Sequence, residues 1–204
     1  MARYKGPRVK KLRALGVDLP GLSRKSRERR PYPPGQHGNV GHKKTTEYGR
    51  RLMEKQKLRF NYNVSERQLR RLVKEARSSK TATGQKLLEL LESRLDNVVF
   101  RAGFAPTIPA ARQLTGHGHV TVNGKRVDIA SYRVKQGDVI GLREKSRKID
   151  IVESSLTQLS LQRPEWLSFD EGERSAEVLN LPDSESVPFP IDILLVVEYY
   201  AKRL

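Results

Sequence analysis

Two histidines, His117 and His119, are the first residues whose spacing suggests chemistry. On a strand, side chains two positions apart point to the same side, so both imidazoles are able to reach one metal ion. A zinc site needs three or four protein ligands, and neither a carboxylate nor a cysteine stands close by in the sequence. We therefore predict no metal site and expect a turn or a contact with a binding partner here.

A second candidate for chemistry is Gly84-Gln85-Lys86, which resembles the end of a phosphate-binding loop. That loop requires Lys directly after its second Gly and another Gly at position 79, where Ser79 stands. The sequence also lacks a nucleophile elbow, a zinc-protease motif and a dinucleotide fingerprint, and it has no cysteine. We expect no enzyme, no cofactor and no disulfide.

The charge of the chain predicts a polyanionic partner. Its 204 residues hold 40 Lys and Arg against 23 Asp and Glu, a formal net charge of +17. Residues 1–60 contribute 18 basic and 4 acidic side chains, whereas residues 151–204 contribute 4 and 10. Nucleic acid is favoured over a membrane surface, because the first 45 residues lack an apolar stripe and no run approaches the ~20 residues of a span. We expect location in the cytosol or an organelle interior.

The elements that must position these charges begin with a basic arm. Residues 1–42 mix Arg and Lys with Gly and Pro and show no sustained apolar period. Such a composition predicts an extended segment that becomes ordered only against a polyanion.

Two helices are predicted next, over residues 47–60 and 65–77. Ser65 and Gln68 form a capping-box pattern at the start of the second. At 100° per residue, one sector of that helix is apolar, with Leu69, Leu72, Val73 and Ala76. The opposite sector is basic, with Arg67, Arg70, Arg71, Lys74 and Arg77. Acidic residues flank this sector and do not interrupt it, which favours phosphate contact over an ordinary solvated face.

The second half of the chain predicts a helix pair followed by a small antiparallel sheet. A Leu-rich helix is expected over residues 85–99, and Thr107 with Pro109 opens a short helix that ends at Gly116. Alternating apolar residues then flank an Asn123-Gly124 hairpin turn. Beyond residue 151 we expect an acidic loop region, a short strand over 178–181 and a buried apolar element over 191–200.

Eight segments make the chain resemble a known family along essentially its whole length. They are MARYKGP at 1–7, PPGQHG at 33–38, EKQKLR at 54–59, LESRLDN at 91–97, ARQL at 111–114, HGHVTVNG at 117–124, SYRV at 131–134 and VEYY at 197–200. The chain is similar to the family of small ribosomal subunit protein four, of the bacterial and plastid type.

The resemblance implies an α+β fold, in which a mainly helical domain carries an inserted small α/β RNA-binding module. It implies a basic extension over residues 1–42, a helical domain over 43–91 and 153–204, and the module over 92–152. The implied protein is a structural constituent of the small ribosomal subunit that binds 16S-type ribosomal RNA and nucleates assembly of the subunit body.

Further partners implied by the resemblance are ribosomal proteins five and twelve, with which the family influences translational accuracy, and messenger RNA at its entry channel. We expect neither a membrane partner nor a homo-oligomer. Many relatives carry zinc-binding cysteines near the start, where this chain has Val9 and Leu12, so no metal is predicted.

The candidate RNA-binding residues fall in three regions. Those of the basic extension and its junction are Arg3, Tyr4, Lys5, Arg8, Lys10, Arg29, Arg30, Gln36, His37, Lys43 and Lys44. The two predicted helices add Arg50, Lys55, Lys57, Arg59, Arg67, Arg70, Arg71 and Lys74. The module adds Arg94, Arg112, Gln113 and His117, of which Arg94 has the alternative of pairing with Asp96 or another acid.

Two other classes of protein agree less well with the sequence. A DNA-binding regulator would use residues 92–116 as a helix-turn-helix, but Thr107-Ile108-Pro109-Ala110-Ala111 offers few base-reading side chains. An RNA-modifying enzyme that shares the module would need a catalytic domain of well over 100 residues, and 54 follow position 150.

Overall fold

The computed structural model describes residues 4–40, 44–183 and 186–201. Two candidate contact residues, Arg3 and Lys43, lie outside these ranges. The chain divides into two compact units, of which unit one comprises residues 1–87 and 188–204, and unit two comprises residues 88–187. Helices and one antiparallel sheet are both present, so the fold is α+β, as predicted.

Unit one is helical in its described residues. It contains α1 (Arg8–Leu15), α2 (Glu47–Asn61), α3 (Glu66–Arg77), the first part of α4 (Thr83–Glu92) and α8 (Ile193–Ala201). The predicted helices over 47–60 and 65–77 are confirmed as α2 and α3. Helix α8 packs against both α2 and α3, so the last helix returns to the first part of the chain.

The prediction of an extended arm over residues 1–42 is wrong for its first half. Residues 8–15 form α1, which ends at Gly16 in the left-handed conformation (φ 67°). Leu12, Leu19 and Leu22 are buried in unit one. Together with the buried Leu15 they are spaced by three, four and three positions, but the surrounding Lys and Arg make this period hard to detect in the sequence. From residue 23 to residue 40 the backbone forms turns and bends without helix or strand.

Unit two carries the sheet. Its helices are α5 (Leu95–Arg101), α6 (Ile108–Gly116) and α7 (Asp150–Thr157). Its strands are β1 (Val120–Val122), β2 (Lys125–Arg126), β3 (Val139–Leu142), β4 (Leu167–Asp170) and β5 (Ser175–Val178), in the antiparallel order β2-β1-β3-β5-β4. The Asn123-Gly124 hairpin turn is confirmed, with φ of 50° and 76° at the two positions.

The single helix predicted over residues 85–99 is instead two helices. Helix α4 ends at Glu92, and α5 begins at Leu95. Between them, Arg94 forms an isolated antiparallel bridge with Arg133. Val134 donates its amide to Ser93 O at 2.9 Å, and Leu95 donates to Tyr132 O at 2.8 Å. Pairing with a distant segment breaks the helix, and no local signal in the sequence announces it.

Residues 153–187 lie in unit two, whereas the sequence had grouped 153–204 with the helical domain. Strand β5 pairs with β3, with Ile140 opposite Ala176. Strand β4 pairs in turn with β5. The strand predicted over 178–181 corresponds to β5, which begins three residues earlier, at Ser175. The acidic surroundings of β4 and β5 made this hairpin resemble a loop.

The C-terminal helix is less buried than the sequence predicts. In α8, Val196 and Tyr200 are buried, but Leu194 is 68% exposed. No helix in the described part of the chain has the length and apolar character needed to cross a membrane.

Candidate nucleic-acid interface

Helix α3 presents a continuous basic surface, which we call the α3 stripe (Arg67, Arg70, Arg71, Lys74 and Arg77). The capping box is confirmed: Gln68 donates its amide to Ser65 Oγ at 3.3 Å, and Ser65 donates its own to Gln68 Oε1 at 3.0 Å. The apolar sector, Leu69, Leu72, Val73 and Ala76, is buried, which fixes the rotation of the helix. All five side chains of the α3 stripe are consequently exposed.

A concave basic surface lies in the N-terminal part of unit one. It is a cleft with a volume of about 480 Å³, formed by α1 together with residues 25–30 and 34–35. We call it the cationic cleft. Its basic lining residues are Lys10, Arg13, Lys25, Arg27, Arg29 and Arg30.

The walls of the cationic cleft are held by specific hydrogen bonds. Arg13 donates from Nε to Tyr32 O at 3.0 Å and from Nη2 to Pro33 O at 3.2 Å, and its guanidinium lies 4.9 Å from the centre of the Tyr32 ring. Ser26 donates from Oγ to Asp18 Oδ2 at 2.7 Å, and Arg27 donates its amide to Asp18 Oδ1 at 3.0 Å. Arg13 thus holds the proline-rich segment at Tyr32 and Pro33, and Asp18 holds the segment at Ser26 and Arg27.

Lys55 does not belong to a basic surface, although the sequence nominated it. It is 3% exposed, and its Nζ donates to Glu66 Oε2 at 2.9 Å and lies 5.0 Å from the centre of the Tyr199 ring. Tyr200 donates its hydroxyl to the other oxygen of Glu66 at 2.6 Å. Burial acts to raise the pKa of Glu66, but the hydrogen bonds from Tyr200 and Lys55 outweigh it and lower that pKa below its usual value.

Two further candidates on α2 are half-buried. Lys57 pairs with Glu54 at 2.5 Å, and the guanidinium of Arg59 lies 5.4 Å from the centre of the Phe60 ring. Tyr4 also packs edge-on against Phe60, with ring centroids 5.2 Å apart. Lys11 Nζ lies over the Tyr4 ring, 5.7 Å from its centre, so that face of the ring is covered and is not available to stack on a base.

In unit two, Asp96 joins two of the candidate arginines. Asp96 is fully buried at the start of α5 and accepts Nε and Nη2 of Arg94 at 3.0 and 2.8 Å. It also accepts Nε and Nη2 of Arg112 at 3.0 and 2.5 Å. Arg94 is 5% exposed and pairs with Asp96, which is the alternative that the sequence left open. Arg112, on α6, has a side chain that is 12% exposed.

The remaining module candidates, Gln113 and His117, are exposed at the end of α6. His119 is half-buried, and its Nδ1 lies 2.9 Å from Ser146 Oγ. Burial lowers the pKa of His119, and the positive charges of His117, Arg143 and Arg126 lower it further. His117 and His119 lie 6.1 Å apart between ring centroids. Among the described residues, no group of three His, Asp or Glu side chains is arranged to hold a metal ion.

The other nominated residues are exposed in the described structure, and they are Lys5, Arg8, Lys10, Arg29, Arg30, Gln36, His37, Lys44 and Arg50. Sequence reasoning missed Arg13, Lys25 and Arg27 of the cationic cleft. It also missed Arg126 and Arg143 beside His119. The cleft residues were within reach of the sequence, because they lie in the most basic segment, whereas Arg126 and Arg143 meet only through the pairing of strands.

Two family models match the chain. The ribosomal protein S4/S9 N-terminal domain matches residues 3–92, and the S4 domain matches residues 93–140. The border between the two matches falls between α4 and α5, close to the limit of unit one at residue 87.

Curated relatives match over their full length and over the whole of this chain. The small ribosomal subunit protein uS4 of Methylobacillus flagellatus is 59% identical, and uS4B of Nitrosomonas europaea is 57% identical. The uS4 protein of Synechococcus elongatus is 55% identical. Together with the two family models, this identity shows that the chain belongs to the uS4 family of small ribosomal subunit proteins.

Proposed function

We propose that the chain is a structural constituent of the small ribosomal subunit and a primary binder of 16S-type ribosomal RNA. The observation that carries the proposal is the α3 stripe, five exposed cations on one helix face in a chain of the uS4 family. Phosphate contacts of this kind position a folded RNA without reading its sequence. Aromatic residues make up 6% of the chain, too few for a base-stacking platform, which argues for recognition of phosphates and shape.

The distribution of charge supports unit one as the main electrostatic contact. Residues 1–87 and 188–204 contain 27 basic and 8 acidic side chains, whereas residues 88–187 contain 13 and 15. The entire cationic surplus therefore belongs to unit one. In unit two, we propose that RNA contacts only the local group of Arg112, Gln113 and His117. This unit has no surplus of positive charge that would attract RNA at long range.

The test is binding to 16S-type ribosomal RNA as a function of salt. Replacing Arg67, Arg71 and Lys74 together with Ala should reduce the slope of log K against log salt by about 2, because each lost phosphate contact removes about 0.7–0.9. A matched variant replaces the exposed Lys135, Lys145 and Lys148 of unit two and should keep the slope of the parent. Equal slopes for both variants, or equal affinity for random duplex DNA at the same salt, would overturn the proposal.

Deleting residues 1–42 is not a clean test of the basic extension. Leu12, Leu19 and Leu22 are part of the buried core of unit one, so a deletion would remove packing together with charge. Substitution of exposed cations such as Arg29 and Arg30 separates the two effects. Footprinting on the RNA with the parent and these variants would then locate the contacted nucleotides.

The finer roles proposed for the chain are nucleation of subunit-body assembly and, with proteins five and twelve, a contribution to translational accuracy. Messenger RNA, at its entry channel, is a further proposed partner. Membership of the uS4 family supports these roles. Reconstitution of small subunits with the α3-stripe variant should slow incorporation of later proteins, and misreading assays on the assembled subunits test accuracy. Normal assembly kinetics with that variant would contradict nucleation through the α3 stripe.

A further inference from the structure

The cationic cleft differs from the α3 stripe in shape. The α3 stripe follows the convex surface of one helix, so it suits phosphates spread along an extended backbone. The cationic cleft has six basic residues in its lining and a volume of about 480 Å³. Several basic residues along one concave surface raise the local concentration of anions, which favours a ligand that carries several phosphates close together.

The six cations have no acidic partner among the residues that the structure describes. Within residues 4–40, 44–183 and 186–201, none of Lys10, Arg13, Lys25, Arg27, Arg29 and Arg30 forms an ion pair. Asp18 is the carboxylate that helps to build this segment, and its oxygens accept from Ser26 Oγ and the Arg27 amide. The cationic cleft therefore keeps a net positive charge, since its six basic residues outnumber Asp18 and Glu28.

The backbone around the cationic cleft is fixed before any ligand arrives. Asp18 holds residues 26 and 27, Arg30 donates its amide to Arg27 O at 2.8 Å, and Arg13 holds Tyr32 and Pro33. A site whose walls are already ordered loses less conformational entropy on binding than a disordered basic tail does. This order is what distinguishes a binding site from a general basic surface.

We propose that the cationic cleft is a specific site for closely spaced phosphates and that it takes a free oligophosphate of three or more phosphoryl groups. The same chemistry is presented by an RNA backbone bent sharply enough to bring several phosphates together. An oligophosphate in the cationic cleft would therefore compete with that part of the RNA. Only the competition with RNA rests on the proposed function. Binding of a free oligophosphate does not depend on it.

The first experiment is calorimetric titration of the RNA-free, full-length protein with tripolyphosphate. We expect saturable binding of one tripolyphosphate per chain. Replacing Lys25, Arg29 and Arg30 with Ala should raise its Kd on the order of tenfold or more, since charge-assisted hydrogen bonds are lost. Replacing Arg67, Arg71 and Lys74 of the α3 stripe removes the same charge and should change Kd by about twofold at most.

A pair of acidic substitutions separates a built site from general attraction. Asp18→Ala and Glu28→Ala each make the protein more positive by one charge, so simple attraction predicts tighter binding for both. Glu28 is exposed and supports neither wall through its carboxylate, whereas Asp18 holds one of them. We expect Asp18→Ala to weaken tripolyphosphate binding and Glu28→Ala to leave it unchanged or slightly tighter. Circular dichroism spectra and thermal unfolding check that each variant is folded.

The outcomes are separable from those of the proposed function. Absence of saturable binding, equal weakening by the cleft and α3-stripe variants, or tighter binding by Asp18→Ala overturns the site. In the RNA arm, tripolyphosphate should displace RNA from the parent but not from the variant lacking Lys25, Arg29 and Arg30. If RNA binds but tripolyphosphate does not, this inference is wrong and the proposed function is unaffected. If tripolyphosphate binds but RNA does not, the proposed function is wrong and the oligophosphate site is unaffected.

Discussion

At the scale of single residues, Asp96 is the most consequential side chain in unit two. It is fully buried and accepts both Arg94 and Arg112, so one carboxylate compensates two guanidinium groups. A buried charge without a partner is costly, whereas a satisfied one merely offsets its own desolvation. Asp96 also orients the Arg112 side chain on α6, because it accepts both Nε and Nη2 of that residue.

Asp96→Asn keeps the shape of the side chain and removes its charge. We expect a loss of about 2–4 kcal/mol in the free energy of unfolding, because Arg94 becomes a buried cation without a counterion. Urea denaturation measures the change. Asp128→Asn is the control, since Asp128 is exposed and lies 3.9 Å from Arg126, and it should stay within about 0.5 kcal/mol of the parent. A similar small effect for Asp96→Asn would contradict the role assigned to the buried pair.

His119 should make the stability of unit two depend on pH. Its pKa is lowered in the folded state, so the unfolded chain binds the proton more readily as the pH falls below about 6.5. Stability from this group is complete above that pH and is lost on acidification towards the lower folded pKa. His119→Gln should therefore flatten the decline of thermal stability between about pH 6.5 and 5. His37→Gln, at an exposed loop position, should retain the slope of the parent, and a parent-like slope for His119→Gln would refute the assignment.

At the scale of elements, α2, α3 and α8 meet in a polar cluster of Lys55, Glu66 and Tyr200. Glu66 lies in the first turn of α3 and accepts from both neighbours, while Lys55 belongs to α2 and Tyr200 to α8. One carboxylate thus ties three helices together. The exposed fraction of its side chain is 39%, so solvent weakens its attraction to Lys55.

Glu66→Gln should lower the free energy of unfolding by about 2 kcal/mol, less than the 3–5 kcal/mol typical of a fully buried pair. The same linkage makes the contribution of Glu66 present above about pH 4.3 and lost as the pH falls through its lowered folded value. Lys55→Met added to Glu66→Gln should recover part of the loss, because no buried cation remains unpaired. Denaturation of the two single variants and the double variant measures this coupling, and purely additive losses would contradict it.

Elements with complete local signals were predictable from the sequence, and elements that depend on distant partners were not. Helix α3 carries its cap, its apolar sector and its basic sector within about four turns, so its ends and its orientation were predicted correctly. The break at Ser93 and Arg94 exists because residues 132–134 pair with them, which no local pattern records. For the same reason, the α3 stripe was found from periodicity, whereas the burial of Lys55 became evident only with α8 in place.

At the scale of the whole molecule, the two units differ in their charge and in what their folding requires. Unit one holds all of the surplus positive charge, and unit two holds none of it, with 13 basic and 15 acidic residues. Unit two instead needs its complete sheet, because β3 lies between β1 and β5. A module ending at residue 152 would leave one edge of β3 without its partner.

A fragment of residues 88–187 should therefore unfold cooperatively on heating, whereas a fragment of residues 92–152 should not. The shorter fragment lacks the buried Ala176 and Val178 of β5 and exposes the edge of β3 that they cover. Circular dichroism melting curves and amide hydrogen exchange of the two fragments provide the measurement. Cooperative unfolding of the shorter fragment at the temperature of the longer one would show that β4 and β5 are dispensable.

The return of α8 to α2 sets the order in which the protein can mature during synthesis. Helix α8 follows the whole of unit two in the chain, so the first unit to leave the translating ribosome is the last one able to complete its core. Throughout that interval its basic residues have already been made, while the residues of α8 that pack against α2 and α3 have yet to be added. Unit two, by contrast, is continuous in sequence and is free to fold as soon as β5 emerges.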